Sequence, residues 1–497
     1  MEPLNRATAA ELGAAVRQLP VKVLQFGEGN FLRAFIDWMI QGMNDQGLFN
    51  GGVTVAQPIE HGMVQTLNEQ DGLYTLLLRG IRNGEVVVDT SVIQSITRTV
   101  NLYTRFDDYL REAENPRLRV IVSNTTEAGI EFRRSDRPTD APPTSFPGKL
   151  LRFLKYRFDV FNGDAAKGFL LFPCELIDRN GDTLKQIVTE LARQWYPDDT
   201  AFQTWLIQAN VFFNTLVDRI VSGYPRDEAE ALCHHFGYRD KLIVAGEIFH
   251  FLVVEGPLEY EPEFPLVTAG FNVKWCGDMT PYRTRKVRIL NGAHTMTVLA
   301  AHLYGLETVK NCMDDPVLAK YARQGVFEEI IPTLDLPRKE LEEFGEAVLE
   351  RFSNPYINHL LLSISLNSVS KFTTRVLPSL LEYQKRKGTL PRLLTFSLAA
   401  LILFYRGIRR GDIAIIAERQ VDGEPYEVKD SPDILDFFWT LWNSESDLGE
   451  RVQTVLSRDD YWGMDLNTVP GLTSAVAAYL EQMIRDGVPA AVRRVTE

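Results

Sequence analysis

Cysteine is scarce in this chain: four in 497 residues, at Cys174, Cys233, Cys276 and Cys312. No two form a CxxC pair. That spacing excludes the usual structural zinc clusters and a disulfide scaffold, and it suits a reducing compartment. A basic surplus is also missing, since 53 Lys and Arg against 66 Asp and Glu leave a net charge of -13. A surface that tracks nucleic-acid phosphates needs the opposite balance, so no nucleic-acid partner is expected. A small anionic substrate is not excluded, because nearby arginines and lysines outweigh distant charge within a screened distance. Long apolar runs are lacking as well. Leu398-Ala399-Ala400-Leu401-Ile402-Leu403-Phe404 is too short to cross a bilayer, and Met1-Glu2-Pro3-Leu4-Asn5-Arg6 has no apolar leader region. The expected location is therefore cytoplasmic, without a membrane partner. The adjacent His234-His235 would point apart on a helix and reads as solvated or packed, so no metal site is expected. No repeat of solenoid length is visible.

What is present is an ordinary globular balance, 45% hydrophobic and 24% charged, over a length that implies two or three domains. Residues 1–20 read as a leading helix ended by Pro20. Val21–Phe26 is a short β-type run that stops at Gly27-Glu28-Gly29-Asn30 and passes into Phe31–Met39, whose apolar spacing is helical. Strand, glycine turn, helix is a setting in which backbone N–H groups can cradle a pyrophosphate. The third glycine of the GxGxxG pattern is replaced by Leu32, so the fingerprint is incomplete. The second strand, Val53–Gln57, ends without the acid that would bond a ribose 2′-hydroxyl, unless Glu60 replaces it. With no arginine following immediately, NAD is favoured over NADP.

Arg82-Asn83-Gly84 between Tyr74–Leu78 and Glu85–Asp89 signals a hairpin. Leu118–Ser123 reads as a buried strand leading into Asn124-Thr125-Thr126-Glu127-Ala128-Gly129. Polar residues at the carboxyl end of a parallel strand are where an open α/β sheet meets its ligand, so Thr126 and Glu127 are candidate cofactor contacts. Residues 134–148 read as a loop, Gly168–Glu175 as a strand, and Thr183–Trp195 as a helix. Asp218-Arg219 follows as either a structural ion pair or a cleft-facing one. After Pro281 the alternation stops and every later segment reads as helical. The expected architecture is thus α/β, with a Rossmann-like dinucleotide domain over residues 1–280 and an all-helical substrate domain over 281–497.

The first helix after that boundary carries Lys286, Asn291 and His294 at i, i+5 and i+8. At about 100° per residue, His294 returns to roughly 80° from Lys286 and Asn291 lies about 60° further round. An amine, an amide NH2 and an imidazole on one face suit chemistry at an alcohol or ketone carbon. The same pattern is also that of an ordinary amphipathic helix, and spacing by itself does not separate the two.

With these residues in place, the chain resembles the mannitol dehydrogenase family of long-chain polyol-specific dehydrogenases. The resemblance runs through Phe26-Gly27-Glu28-Gly29-Asn30-Phe31-Leu32-Arg33-Ala34, Asp71-Gly72-Leu73-Tyr74-Thr75, Thr125–Gly129, Lys286-x4-Asn291-x2-His294 and Arg351-Phe352-x-Asn354-Pro355. Within the family, Leu366-Asn367-Ser368-Val369-Ser370-Lys371-Phe372 and the two main motifs are most similar to members acting on hexuronates. The resemblance implies NAD as cofactor, held by Phe26, Gly27, Gly29, Asn30, Phe31, Thr126 and Glu127. It implies a metal-independent oxidoreductase in which Lys286 exchanges the proton, Asn291 bonds the oxyanion and His294 holds a substrate hydroxyl. Asp218 and Lys371 match family residues near the substrate.

Two departures point from mannitol towards a sugar acid. Polyol members have asparagine where Leu176 stands and arginine where Ser363 stands. Arg283, Arg285 and Arg288 would lower the Lys286 pKa and offer a partner for a carboxylate, with Arg288 as the candidate contact. The expected partner is therefore a small sugar acid bound by a monomer or small homo-oligomer. A sister hexuronate activity, a polyol dehydrogenase and a non-catalytic dinucleotide sensor are the competing expectations.

Overall fold

A computed structural model describes residues 1–13, 16–125 and 129–497. The chain divides into two compact units, residues 1–80 with 85–279, and residues 81–84 with 280–497.

The first unit is built on a six-stranded sheet whose pairings are all parallel. Its strands lie in the spatial order Ile96–Asn101, Gly52–Gln57, Val21–Phe26, Val120–Ser123, Leu170–Pro173, Val211–Phe212. The order reverses direction beside Val21–Phe26, the doubly wound arrangement of a Rossmann sheet. Successive residues of each strand feed two different cores. Val23, Val53, Val55, Val120 and Val122 join one apolar cluster. Leu24, Phe26, Ala56, Ile121 and Leu171 join the other. A sheet buried on both faces needs near-continuous hydrophobic strands, which is why these runs stand out in the sequence. Each fully buried Leu, Val or Phe contributes ~1.5–3 kcal/mol by leaving water.

Two smaller sheets complete this unit, one of them including the expected hairpin, Tyr74–Arg82 with Glu85–Ile93. Its turn places Asn83 at φ 55° and Gly84 at φ 81°, the left-handed pair that a two-residue turn requires. The leading helix is shorter than expected, Arg6–Glu11, capped by the Asn5 side chain and closed before Gly13 at φ 84°. The expected 134–148 loop ends at Ser145, where helix Phe146–Val160 begins. Ser145 accepts from the Gly148 N–H at 3.1 Å and Pro147 sits in the first turn, where its missing donor costs nothing.

The second unit is mostly helical, but not all-helical as expected. Arg409–Arg410, Ile415–Glu418 and Pro425–Val428 form a three-stranded antiparallel sheet. The alternation is legible afterwards. Ile415 and Ala417 face the core while Glu418 and Glu427 face water, and Gly423 turns the chain at φ 73°. At the centre of this unit, Arg392–Phe404 has every residue from Leu393 to Phe404 buried. That explains an apolar run too short for a membrane. Among the described residues no helix is long and apolar enough to cross one.

Candidate active site

In the first unit the carboxyl ends of Val21–Phe26 and Val120–Ser123 open side by side, with Phe26 opposite Ser123. Gly27 has φ 111°, and a Cβ there would lie 3.0 Å from the Asn124 carbonyl oxygen. No L side chain suits that position. Gly29 differs: its φ is an ordinary -66°, it precedes the short helix Asn30–Ala34, and a Cβ on it would meet open space. Its bareness keeps approach to the turn's backbone free. A cavity of 310 Å³ opens here, lined in part by Gly27, Gly29, Pro58, Asn124, Thr125 and Lys149.

The strand-to-helix transition stands as the sequence indicates, although the helix breaks at Phe35 (φ -127°, ψ -78°) and resumes as Ile36–Asp45. Leu32, in the third-glycine position, is buried in the core beneath the turn. The Phe26 side chain is also core, packed edge-on against Phe146 at 4.9 Å and Tyr109 at 5.9 Å. Only its backbone is available at the strand end. Phe31 stacks on Phe35 at 5.0 Å. The Asn30 carboxamide accepts from Arg33 at 2.7 Å. Thr126 and Glu127 lie outside the described residues.

Several residues that sequence reasoning left without a role hold this turn. Arg33 is fully buried and donates to the Glu28 carbonyl at 3.1 Å, the Leu242 carbonyl at 2.6 Å and Asn30. Its signal was a lone cation on the apolar face of the helix that follows the glycine turn. The buried Glu175 carboxylate accepts from the Thr125 N–H and hydroxyl, both at 3.0 Å, and from Ser123 at 3.1 Å. Burial raises its pKa against those hydrogen bonds. Lys149 is buried and donates to the Thr144 carbonyl at 2.6 Å, and burial lowers its pKa to about 8. Gln57, at the end of the second strand, donates to the Ile59 and Glu60 carbonyls and accepts from the Val64 N–H. Its amide is committed to the turn, and Glu60 is exposed. Asp218 ends the strand Asn214–Asp218 and is buried, while neighbouring Arg219 donates to the Ala34, Ile248 and Phe249 carbonyls.

In the second unit the helix bearing the Lys–Asn–His triplet is not a uniform α-helix. Thr280–Arg285 is α-helical, Lys286–Asn291 is a π turn, and Gly292–Tyr304 is α-helical again. The angular positions expected from a 3.6-residue period therefore do not apply. Hydrogen bonds in a π turn run from i to i+5, which sets Lys286 and Asn291 one turn apart and roughly in line, where an α-helix would splay them. Such bulges recur at functional sites. Lys286, Asn291 and His294 are each half-buried.

His294 stacks on Phe352 at 4.1 Å with an interplanar angle of 22°, and meets His359 edge-on at 5.3 Å. Burial, followed by the fields of His359, Arg351, Arg375 and Lys371, holds its imidazole well below the usual range. His294 is thus neutral at pH 7, able to donate and to accept. The structure brings Lys371 to this group, where its amine donates to the Ile364 carbonyl at 2.8 Å. Arg288 is placed elsewhere: its guanidinium reaches the Ser379 hydroxyl at 3.3 Å and feels the Glu382 carboxylate. Arg285 is buried in an ion pair with Glu340 at 2.7 Å and lies over Phe344 at 4.3 Å. Its charge is compensated on the spot. Leu176 and Ser363, the two departures from the polyol pattern, are both exposed.

Comparison with known proteins follows the same division. Residues 21–265 match the mannitol dehydrogenase Rossmann domain and residues 278–484 match the mannitol dehydrogenase C-terminal domain. The chain belongs to the mannitol dehydrogenase family. It is similar to altronate oxidoreductase of Yersinia enterocolitica, 47% identical over 481 residues, covering 96% of this chain and 97% of that one. The same identity and coverage hold for altronate oxidoreductase of Escherichia coli. Among solved structures, the fold is shared with a substrate-free D-sorbitol dehydrogenase (TM-score 0.80, 22% identity, 98% of this chain and 100% of that one). It is shared also with Pseudomonas fluorescens mannitol 2-dehydrogenase in its complex with NAD and D-mannitol (TM-score 0.66, 20% identity, 99% of each chain).

Proposed function

We propose that this member of the mannitol dehydrogenase family is an NAD-dependent, metal-independent altronate oxidoreductase, interconverting D-tagaturonate and D-altronate. The observation that carries the reading is the π turn Lys286–Asn291, followed directly by a neutral, aromatic-stacked His294. Identity of 47% across 96% of the chain to altronate oxidoreductases supports the choice of substrate.

The Gly27–Gly29 turn suits a dinucleotide, because a Cβ on Gly29 would meet open space and Gly27, Gly29, Asn124 and Thr125 line the cavity beside it. Gly27, Gly29 and the backbone of Asn30 would hold the pyrophosphate, with Asn124 and Thr125 at the adjacent strand end. When bound, the reduced nicotinamide supplies a hydride to the ketone carbon. Lys286 gives the proton to the carbonyl oxygen, so ketone, hydride and proton sum to the secondary alcohol. In the reverse direction the Lys286 amine takes that proton back. The Asn291 amide donates to the oxygen while its charge grows, a role of the kind worth ~3 kcal/mol where it has been measured. Neutral His294 orients a neighbouring hydroxyl without adding charge.

NADH consumption by the purified protein with tagaturonate, fructuronate and fructose tests the proposal. Tagaturonate should give the highest kcat/KM, NADH should outperform NADPH, and chelators should leave the rate unchanged. A higher kcat/KM for fructuronate or fructose would overturn the substrate assignment.

A further inference from the structure

Helix Ser368–Arg375 carries Lys371 and Arg375 four residues apart, hence one turn apart on a single face. Like charges so placed repel, and both side chains are half-buried. The end of this helix abuts the start of the His294 helix: a Cβ on Gly292 would lie 3.1 Å from the Arg375 carbonyl oxygen. His359, ring to ring with His294, and Arg351, whose field also reaches it, join this group. Lys371 spends one of its three donors on the Ile364 carbonyl, and Asp430, which offsets part of its charge, already accepts the Tyr405 hydroxyl. Among the described residues the Arg375 guanidinium has no hydrogen bond or ion pair, although burial alone lowers its pKa. Cations drawn together out of water in this way are stable only if an anion joins them.

The geometry points to Arg375 as the residue that grips the substrate carboxylate, aided by Lys371 and His359, so that this face selects sugar acids over neutral polyols. The inference rests on the hexuronate reading above but assigns the carboxylate to residues outside the Lys286–His294 stretch. It also replaces Arg288, whose guanidinium is turned to Ser379. The fork of Arg375 can meet both carboxylate oxygens, with Lys371 as a point charge beside it.

The test is calorimetric binding of D-altronate and of its neutral counterpart altritol to the enzyme saturated with NADH, for wild type, Arg375→Ala and Arg375→Lys. Wild type should prefer altronate. The preference should fall about tenfold or more in Arg375→Ala, as for a lost charge-assisted hydrogen bond, and recover in part in Arg375→Lys. A preference unchanged in a folded Arg375→Ala protein, or absent from wild type, overturns the assignment. Turnover of tagaturonate is measured on the same samples. An Arg375-dependent preference without tagaturonate turnover keeps the carboxylate site and sinks the reaction. Turnover with an Arg375-independent preference does the reverse.

Discussion

The turn at Gly27 and the group around His294 are built in opposite ways. The first is a backbone site. Its defining features are a φ that only glycine tolerates and a bare approach at Gly29, both set within a few residues of one strand end. The second is a side-chain site, in which residues from the segment around Phe352 and His359 and from helix Ser368–Arg375 converge on one imidazole, three residues beyond a π turn. A backbone site should fail through shape when altered. A side-chain site should fail through chemistry while the fold survives.

The largest effect should come from Lys286→Ala. Loss of a general acid–base group should lower kcat for tagaturonate by about 10³-fold, with the melting temperature little changed. A kcat within tenfold of wild type would remove the lysine from the mechanism. Asn291→Ala should lower kcat by about 10²-fold and leave KM within a few-fold, since under the proposed mechanism the amide acts on charge that develops only in the transition state. A raised KM with kcat unchanged would make it a ground-state contact. Gly27→Ala should behave differently from both. Forcing a Cβ into φ 111° against the Asn124 carbonyl should cost about 1–3 kcal/mol of stability and weaken NADH binding, with kcat at saturating NADH largely retained. Denaturant titration and NADH fluorescence would measure the two parts, and an unchanged stability would break the contrast.

The smallest effect concerns His302, which lies further along the helix that carries His294. It is buried against Tyr426 and Phe404, neither ring nitrogen has a protein partner among the described residues, and burial lowers its pKa to about 4. The unfolded chain takes up this proton near pH 6.5, whereas the folded chain refuses it until about pH 4. Stability from the neutral ring is therefore complete above pH 6.5 and is lost as the pH falls towards 4. Across that interval His302→Phe should lose less melting temperature than wild type. Parallel curves would show that the ring does not contribute to the acid sensitivity.

The same contrast governs what could be read before the coordinates. The valine-rich strands, the Asn83-Gly84 turn and the glycine turn are local patterns, and they stood where expected. Arg33 and Glu175 escaped notice because their value lies in carbonyls and N–H groups that only folding brings near. The small sheet around Ile415–Glu418 was lost among helical neighbours, since its strands are too short to outweigh the surrounding periodicity. Arg375 and His359 were overlooked for a simpler reason: single cations far apart in sequence carry no spacing to recognise. Lys286, Asn291 and His294 were named from their spacing, yet the angles assigned to them presumed a regular helix.

That irregularity has a consequence for how this chain can change. A π turn amounts to one residue more than a regular helix would use, and deleting one position between Val287 and Leu290 would let the segment close as a continuous α-helix. The tidier helix would be the sturdier one, but everything before the cut would swing by about 100° relative to His294, taking the amine with it. Robustness and reactivity are thus set against each other at a single residue's worth of length, and a shortened homologue would trade one for the other.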